Sequence, residues 1–165
     1  MQQHILSVLV SNKAGVLTKV TSLFSRRGFN IDSLAVGTTE NKDISRITII
    51  ANGDDYTLEQ LIKQLNKLID VIKVKNLTDT ENVCRELALI KVSNIGSDER
   101  KEILQLSEIY RSKIVDVALD AVTVEITGTT DKIHAFLSLA EKFGKIEMVR
   151  TGTISIERGN KTIEG

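Results

Sequence analysis

Two asparagines and a glycine bracket one segment near the N-terminus, and together they have the chemistry to hold a free amino acid. In the stretch Val8 to Leu34, VLVSNKAGVLTKVTSLFSRRGFNIDSL, Asn12 and Gly15 precede an amphipathic run and Asn30 follows it. A helix entered through a glycine turn leaves backbone N–H groups without internal partners, and its dipole adds partial positive charge there. A small carboxylate is stabilised at such an end, and Gly15, having no side chain, lets it approach closely. An amino acid also carries an ammonium, which needs acceptors; the side chain of Asn12 and the side chain or backbone carbonyl of Asn30 supply them. Val16, Leu17 and Ile31 offer an apolar wall, so the expected ligand is small and aliphatic rather than charged. Ala14, at the expected helix start, completes the candidate set.

Blander roles fit the same residues. Asn12 suits a helix N-cap, Gly15 an ordinary turn, and Asn30 a position after Gly28 that tolerates unusual dihedrals. On residue type alone both readings stand.

The elements that must position these groups follow from hydrophobic spacing. Ile5, Leu6, Val8, Leu9 and Val10 form an apolar run of strand length, and Ser11-Asn12-Lys13-Ala14-Gly15 breaks it with turn formers. From about Ala14 a helix is expected: Val16, Leu17, Val20, Leu23 and Phe24 recur as one stripe, with Lys19, Ser22 and Arg26 on the wet side. Gly28, after two arginines, is suited to stop it. Residues 31–38 and 45–51 read as two strands of a hairpin around the polar Thr39 to Asp43. Thr57 to Gln60 has the form of a capping box. It opens a second helix with Leu58, Leu61, Ile62, Leu65, Leu68 and Ile69 on its stripe, and Val71 to Leu77 alternates as a fourth strand.

That order, strand, helix, strand, strand, helix, strand, is the ferredoxin-like βαββαβ arrangement, an antiparallel sheet with both helices on one face. Its other face has to be covered or wet. Thr78 to Asn82 is polar and reads as a linker, after which the pattern returns. Glu86 to Val92 reads as a strand and Asp98 to Tyr110 as a helix with Ile103, Leu106 and Tyr110 on its stripe. Strands at 114–119 and 122–127 follow, then a helix after Thr130 carrying Ile133, Phe136, Leu137 and Ala140. Ile146 to Val149 and Thr153 to Ile156 read as one strand bent at Gly152. The fold class expected is α+β: two tandem ferredoxin-like domains over residues 1–78 and 79–165, with a mobile polar tail from about 158. In the second half, Asn94-Ile95-Gly96-Ser97 lacks the apolar pair that follows Gly15, so ligand sensing is assigned to the first half and a scaffold or effector role to the second.

Composition narrows the classes. The chain has 165 residues, 41% apolar and 27% charged, with 22 basic and 22 acidic side chains. Neutral balance without long runs of one sign argues against a nucleic-acid or anionic-membrane partner and removes self-repulsion that would oppose association. Cys84 is the one cysteine, so neither an intrachain disulfide nor a zinc cluster can be built, and a packed residue in a reducing cytosol is the expectation. No apolar run reaches membrane-spanning length and Met1-Gln2-Gln3-His4 lacks signal-peptide character, which points to the cytoplasm. There is no Walker sequence, no GxSxG elbow and no clustered metal-ligand spacing. Glu86, Asp116 and Asp120 are isolated acids, read as solvated. No catalytic residue and no metal ligand is expected.

The segment from Asn12 to Leu17, followed by Leu23-Phe24-Ser25-Arg26-Arg27-Gly28-Phe29-Asn30-Ile31-Asp32-Ser33-Leu34, resembles the N-terminal ACT domain of acetolactate synthase (acetohydroxyacid synthase) small regulatory subunits. Ser45-Arg46 with Thr48, Glu59-Gln60-Leu61 through Val71, Arg85-Glu86-Leu87 through Val92, and Arg150-Thr151-Gly152 resemble later blocks of that family in order and spacing. The resemblance implies a non-catalytic regulator that binds and activates a large catalytic subunit, on which thiamine diphosphate, magnesium and FAD are expected. It further implies feedback inhibition by valine, or by leucine or isoleucine, in branched-chain amino-acid synthesis. Members pair their ACT domains into a homodimer with effector sites in the seam, which would draw Asn12, Gly15, Val16 and Leu17 from one chain and Asn30 and Ile31 from the other. Phe29 stands where many relatives have Tyr, Asp32 where many have Glu, and Lys13 and Ala14 at positions that vary. The location implied is cytoplasmic, or the plastid stroma for a plastid-encoded member.

Three other readings compete. An ACT-type sensor for a different amino-acid enzyme has the same site. A ferredoxin-like RNA-binding module stacks bases on sheet aromatics, whereas this chain has four Phe, two Tyr and no Trp, with Phe24, Phe136 and Tyr110 assigned to helices. A small ferredoxin-like hydrolase would show turnover by the chain alone.

Overall fold

Alternate residues of the first strand, Leu6, Val8 and Val10, face the helix-covered core of the first sheet. In this computed structural model, which describes residues 2–164, β1 spans Gln2–Ser11. Its Leu6, Val8 and Val10 meet Ile47, Ile49 and Ala51 of β3 (Ile44–Gly53) in one apolar cluster. Helices α1 (Val16–Arg26) and α2 (Asp55–Leu65) close over that face through Val16, Val20, Phe24, Leu58, Leu61 and Leu65. Strands β2 (Asn30–Thr38) and β4 (Val71–Asn76) complete an antiparallel sheet of order β2-β3-β1-β4, so β2 and β4 are its edges.

The end of α1 is set by local sequence. Gly28 takes φ +73°, and its N–H donates to Ser25 O while the Phe29 N–H reaches back to Phe24 O at 3.1 Å. This is the Schellman arrangement, which satisfies carbonyls that a helix end leaves open. The accompanying apolar contact is between rings: Phe29 packs edge-on against Phe24, centroids 6.2 Å apart. The start of α2 lies three residues before the expected cap. Asp54 is the N-cap and accepts the Thr57 N–H at 2.8 Å, so Thr57 is the third residue of the helix and not its boundary.

The second half repeats the order with β5 (Asn82–Ser93), α3 (Ser97–Ile109), β6 (Lys113–Val117), β7 (Ala121–Gly128), α4 (Thr130–Ala140) and β8 (Lys145–Arg150). Its sheet runs β6-β7-β5-β8. Ala88, Ile90, Val92, Val122, Val124 and Ile126 pack with Ile103, Leu106, Ile133 and Phe136 in a separate core, and Tyr110 lies edge-on to Phe136 at 5.6 Å. Both halves are ferredoxin-like βαββαβ units.

The C-terminal residues depart from the expected layout. The chain clusters into one unit holding residues up to Val83 together with those from Thr153, and a second holding Cys84–Gly152. Gly152, at φ +83°, interrupts the last strand, and β9 (Ile154–Glu157) continues along β5. Over the helix-free face of the first sheet the final segment makes polar contacts. Ser33 Oγ accepts the Thr153 N–H at 2.8 Å, Arg46 donates to Ser155 O at 3.3 Å, and Lys75 pairs with Glu157 at 2.5 Å. Residues on that face, Ser7 and Thr48 among them, are buried. Beyond the strand, residues read from sequence as a mobile tail are held as well: Arg158 N donates to Glu81 O and Lys75 Nζ to Thr162 O. The alternation in β9 is inverted, with Ser155 and Glu157 buried and Ile154 and Ile156 exposed, because its inward neighbours are the polar groups of Ser33, Arg46 and Lys75.

Candidate functional site

The corner between β1 and α1 is built by backbone bonds from three directions. Ser11 N donates to Asp70 O, Asn12 N to Asp43 O, and Lys13 N to Ser11 O, each within 2.9 Å. Val16 N closes the turn on Lys13 O at 3.4 Å, with Gly15 at φ +82°, ψ −10°, the conformation a type II turn requires at its third residue. A Cβ built on Gly15 would meet nothing within 4 Å, so the space beside it is open.

Among the four helices of the described residues, α1 alone begins with neither a side-chain contact at its N-cap nor an acid in its first turn. Asp54 caps α2, Glu99 folds back onto the Gly96 N–H at 3.0 Å to close α3, and Thr129 caps α4. Each of those three also carries an acid in its first turn. The N-cap of α1 is Gly15, no side chain caps it, and its first turn holds no acid. Orphan N–H groups with an uncompensated dipole remain there, the setting in which an anion is stabilised. Nearby charge does not cancel this: Lys19 donates to the Asp70 carboxylate at 2.8 Å and, with the further help of Lys13, holds it below the usual carboxylate range.

Asn12 is not the helix cap. Its Nδ2 donates to Lys42 O at 2.9 Å, which ties the turn to the β2–β3 connection and leaves Oδ1 as the acceptor. Ala14 is exposed in the turn. Val16 points into the core at 3% exposure and so contributes backbone, whereas Leu17 is 39% exposed on the neighbouring surface. Ile31 packs against the core.

Asn30 and Ile31 lie elsewhere in the chain's own fold. Asn30 is opposite Asn52 and Asn52 opposite Gln3, while Asn12 follows Ser11 at the other end of β1. Gln3 to Ser11 is eight residue steps, about 27 Å along a strand at roughly 3.4 Å per residue. One copy therefore holds the two groups of candidate residues at opposite ends of its sheet. Asn30 has company that residue type alone did not mark: its Nδ2 donates to Asp32 Oδ1 at 2.7 Å, and Asn52 donates to the other Asp32 oxygen. The signal lies in the hairpin register, which puts Asn52 across from Asn30.

The remaining sequence candidates fall out differently. Asp116 and Asp120 are exposed, but Glu86 is buried at 3% with Arg150 3.9 Å away. Its place on the helix-side face of β5, in line with Ala88 and Ile90, removes it from water, contrary to the solvated role expected. Phe24, Phe29 and Phe136 are buried, Tyr110 and Phe143 pack on a core, and Tyr56, the one well-exposed aromatic, is on α2. No open sheet face carries a stacking platform for bases. Among the described residues, no group of three or more acids, histidines and cysteines could hold a metal, and no helix is long and apolar enough to cross a membrane.

Comparison with known proteins gives the family. Residues 6–73 match the family described as AHAS small subunit-like ACT domain, and residues 85–159 match that described as small subunit of acetolactate synthase. A probable acetolactate synthase small subunit of Methanothermobacter thermautotrophicus is 53% identical over 97% of this chain and 95% of its own length. The acetolactate synthase small subunit of Mycolicibacterium smegmatis is 50% identical over 97% and 94%. The crystal structure of the Thermotoga maritima small subunit superposes with a TM-score of 0.87 at 44% identity, covering 98% of this chain and all of that one. With an ACT fold in its first unit and identity of this order along nearly its whole length, the chain belongs to the acetolactate synthase small-subunit family.

Proposed function

We propose that this protein is the regulatory subunit of an acetolactate synthase: it binds and activates the thiamine-diphosphate-dependent catalytic subunit and makes it sensitive to valine or a related branched-chain amino acid. The chain itself supplies no catalysis and acts in the cytoplasm. The first unit senses the effector, and the second serves as scaffold or effector toward the large subunit.

The observation that carries the reading is the bare start of α1, the one helix whose N-terminus is left for a foreign carboxylate. Asn12 Oδ1 lies beside it as an acceptor. The missing half of the site comes from a second copy. β2 is an edge strand, and edges present unpaired backbone groups that another chain can use. Two such edges in antiparallel register exchange ends. Asn30 and Ile31 of one copy then lie near Thr38 of the other, and Thr38 is opposite Ser45, one step from the Ile44–Ser11 pair at the β1–α1 corner. The effector site is thus a property of the homodimer: carboxylate on one copy, ammonium shared with the other. A ligand that bridges two copies alters their spacing or stiffness, and a differential affinity of about 1–3 kcal/mol suffices for regulation.

The test is a pull-down with the large subunit and an assay of acetolactate formation with and without valine. Co-purification, a higher rate and a valine-dependent fall are expected. A chain that leaves the rate of its large subunit unchanged, or that is monomeric in the presence of valine, overturns the proposal.

A further inference from the structure

We infer that Asp32 fixes the polarity of the effector site by forcing the Asn30 amide to present its oxygen, which makes the site selective for a protonated amine. The inference rests on the effector site proposed above and concerns how one of its residues is oriented.

A primary amide can turn either its oxygen or its nitrogen outward, and the two states differ in whether they accept or donate. At Asn30 the choice is imposed. β2 carries a bulge between Ile31 and Ser33: Ile31 pairs with Ala51 and Ser33 with Ile50, leaving Asp32 outside the ladder. An unpaired bulge residue re-aims its side chain, and Asp32 receives the Asn30 Nδ2–H on one oxygen and the Asn52 Nδ2–H on the other. An ionised carboxylate only accepts, so both amides must give it their nitrogens. Asn30 Oδ1 is then the group left for a ligand. At the other half of the site the same result is reached with backbone, since the Lys42 carbonyl accepts from Asn12 Nδ2 and likewise leaves an oxygen. Two outward amide oxygens suit an ammonium and repel a carboxylate or keto oxygen. Asp32 is a positioning residue, acting through Asn30 without touching the effector.

The experiment titrates the full chain by calorimetry with valine and with isovalerate, which keeps the carboxylate and branched skeleton but has no amine. The forms compared are wild type, Asp32→Asn, Asp32→Glu, Asn30→Ala and the Asp32→Asn/Asn30→Ala pair. Asp32→Asn is nearly isosteric and lets either amide orientation occur; valine is expected to bind about tenfold more weakly while isovalerate is unaffected. Asp32→Glu restores an acceptor-only group and is expected to stay within about threefold of wild type. In the Asn30→Ala background Asp32→Asn should add nothing, the non-additivity of residues acting through one contact. Wild-type valine affinity in Asp32→Asn, equal loss of both ligands, or a full additional loss on top of Asn30→Ala overturns the inference. Should isovalerate bind no form measurably, the cycle with Asn30→Ala decides alone. If Asn30→Ala itself leaves valine binding intact, the effector site is misassigned and the inference falls with it; if Asn30→Ala weakens valine but Asp32→Asn does not, only the inference falls.

Discussion

At Gly15 two demands on one residue coincide: a left-handed φ and an empty space beside the helix end. Asp tolerates left-handed backbone better than most side chains, so Gly15→Asp is expected to fold, with a stability loss of about 1 kcal/mol. Its carboxylate would occupy the position of the effector's own. The expected result is an enzyme still activated by the subunit but no longer inhibited by valine; an unchanged inhibition curve refutes the assignment. Asn30→Ala removes an acceptor, and valine affinity measured by calorimetry should fall by roughly 1–3 kcal/mol. Residue type alone made Asn12, Gly15 and Asn30 candidates, with cap and turn roles equally open, because their chemistry is local. It did not mark Asp32, Asn52 or the Lys42 carbonyl. Their roles depend on strand register and on a connection thirty positions away in the chain, which no residue announces by its type.

Helix ends at the element scale show where hydrophobic spacing is a good guide and where it fails. Gly28 after two basic residues foretold the stop of α1 correctly, and the Phe24–Phe29 contact that secures it follows from that cap. Gly53 reads as a strand-ending turn, yet an added Cβ there would lie 2.0 Å from the Phe29 ring. Gly53→Ala therefore has to displace a buried aromatic, and a loss of about 2–3 kcal/mol is expected in urea denaturation, within the range for overpacked cores. The start of α2 was placed three residues late because Thr57-x-x-Gln60 imitates a capping box, while Asp54 forms the actual cap. Asp54 is held below the usual carboxylate range by hydrogen bonds from the Thr57 hydroxyl and amide. A depressed carboxyl pKa stabilises the fold above the unfolded value of about 4 and ceases to do so as pH falls through the folded value. Stability should thus decline between about pH 5 and 3, and Asp54→Asn, which caps without titrating, should flatten part of that decline in denaturation curves taken across the range.

For the molecule as a whole, the two βαββαβ repeats were legible because each obeys its own periodicities, while for the helix-free face of the first sheet periodicity leaves both a cover and water open. What covers part of it was not legible, since Thr153 to Ile156 reads as the second half's last strand continued past Gly152, with nothing in its residue types to assign it to the first sheet. Glu157 is 5% exposed at its side chain and Lys75 27%, so Glu157→Gln should lower the stability of the first unit by about 1–2 kcal/mol, less than a fully buried pair would show. Hydrogen exchange of β4 and β1 amides would report it; unchanged protection there would show that the pair contributes nothing. Because the helix-free face of the first sheet is covered in part by residues from the far end of the polypeptide, the order of synthesis matters. A ribosome adding about 5–20 residues per second exposes the N-terminal sheet seconds before the segment that covers this face emerges. During that interval the half-made sensor presents an uncovered surface, and a chain released prematurely anywhere before Thr153 would keep it.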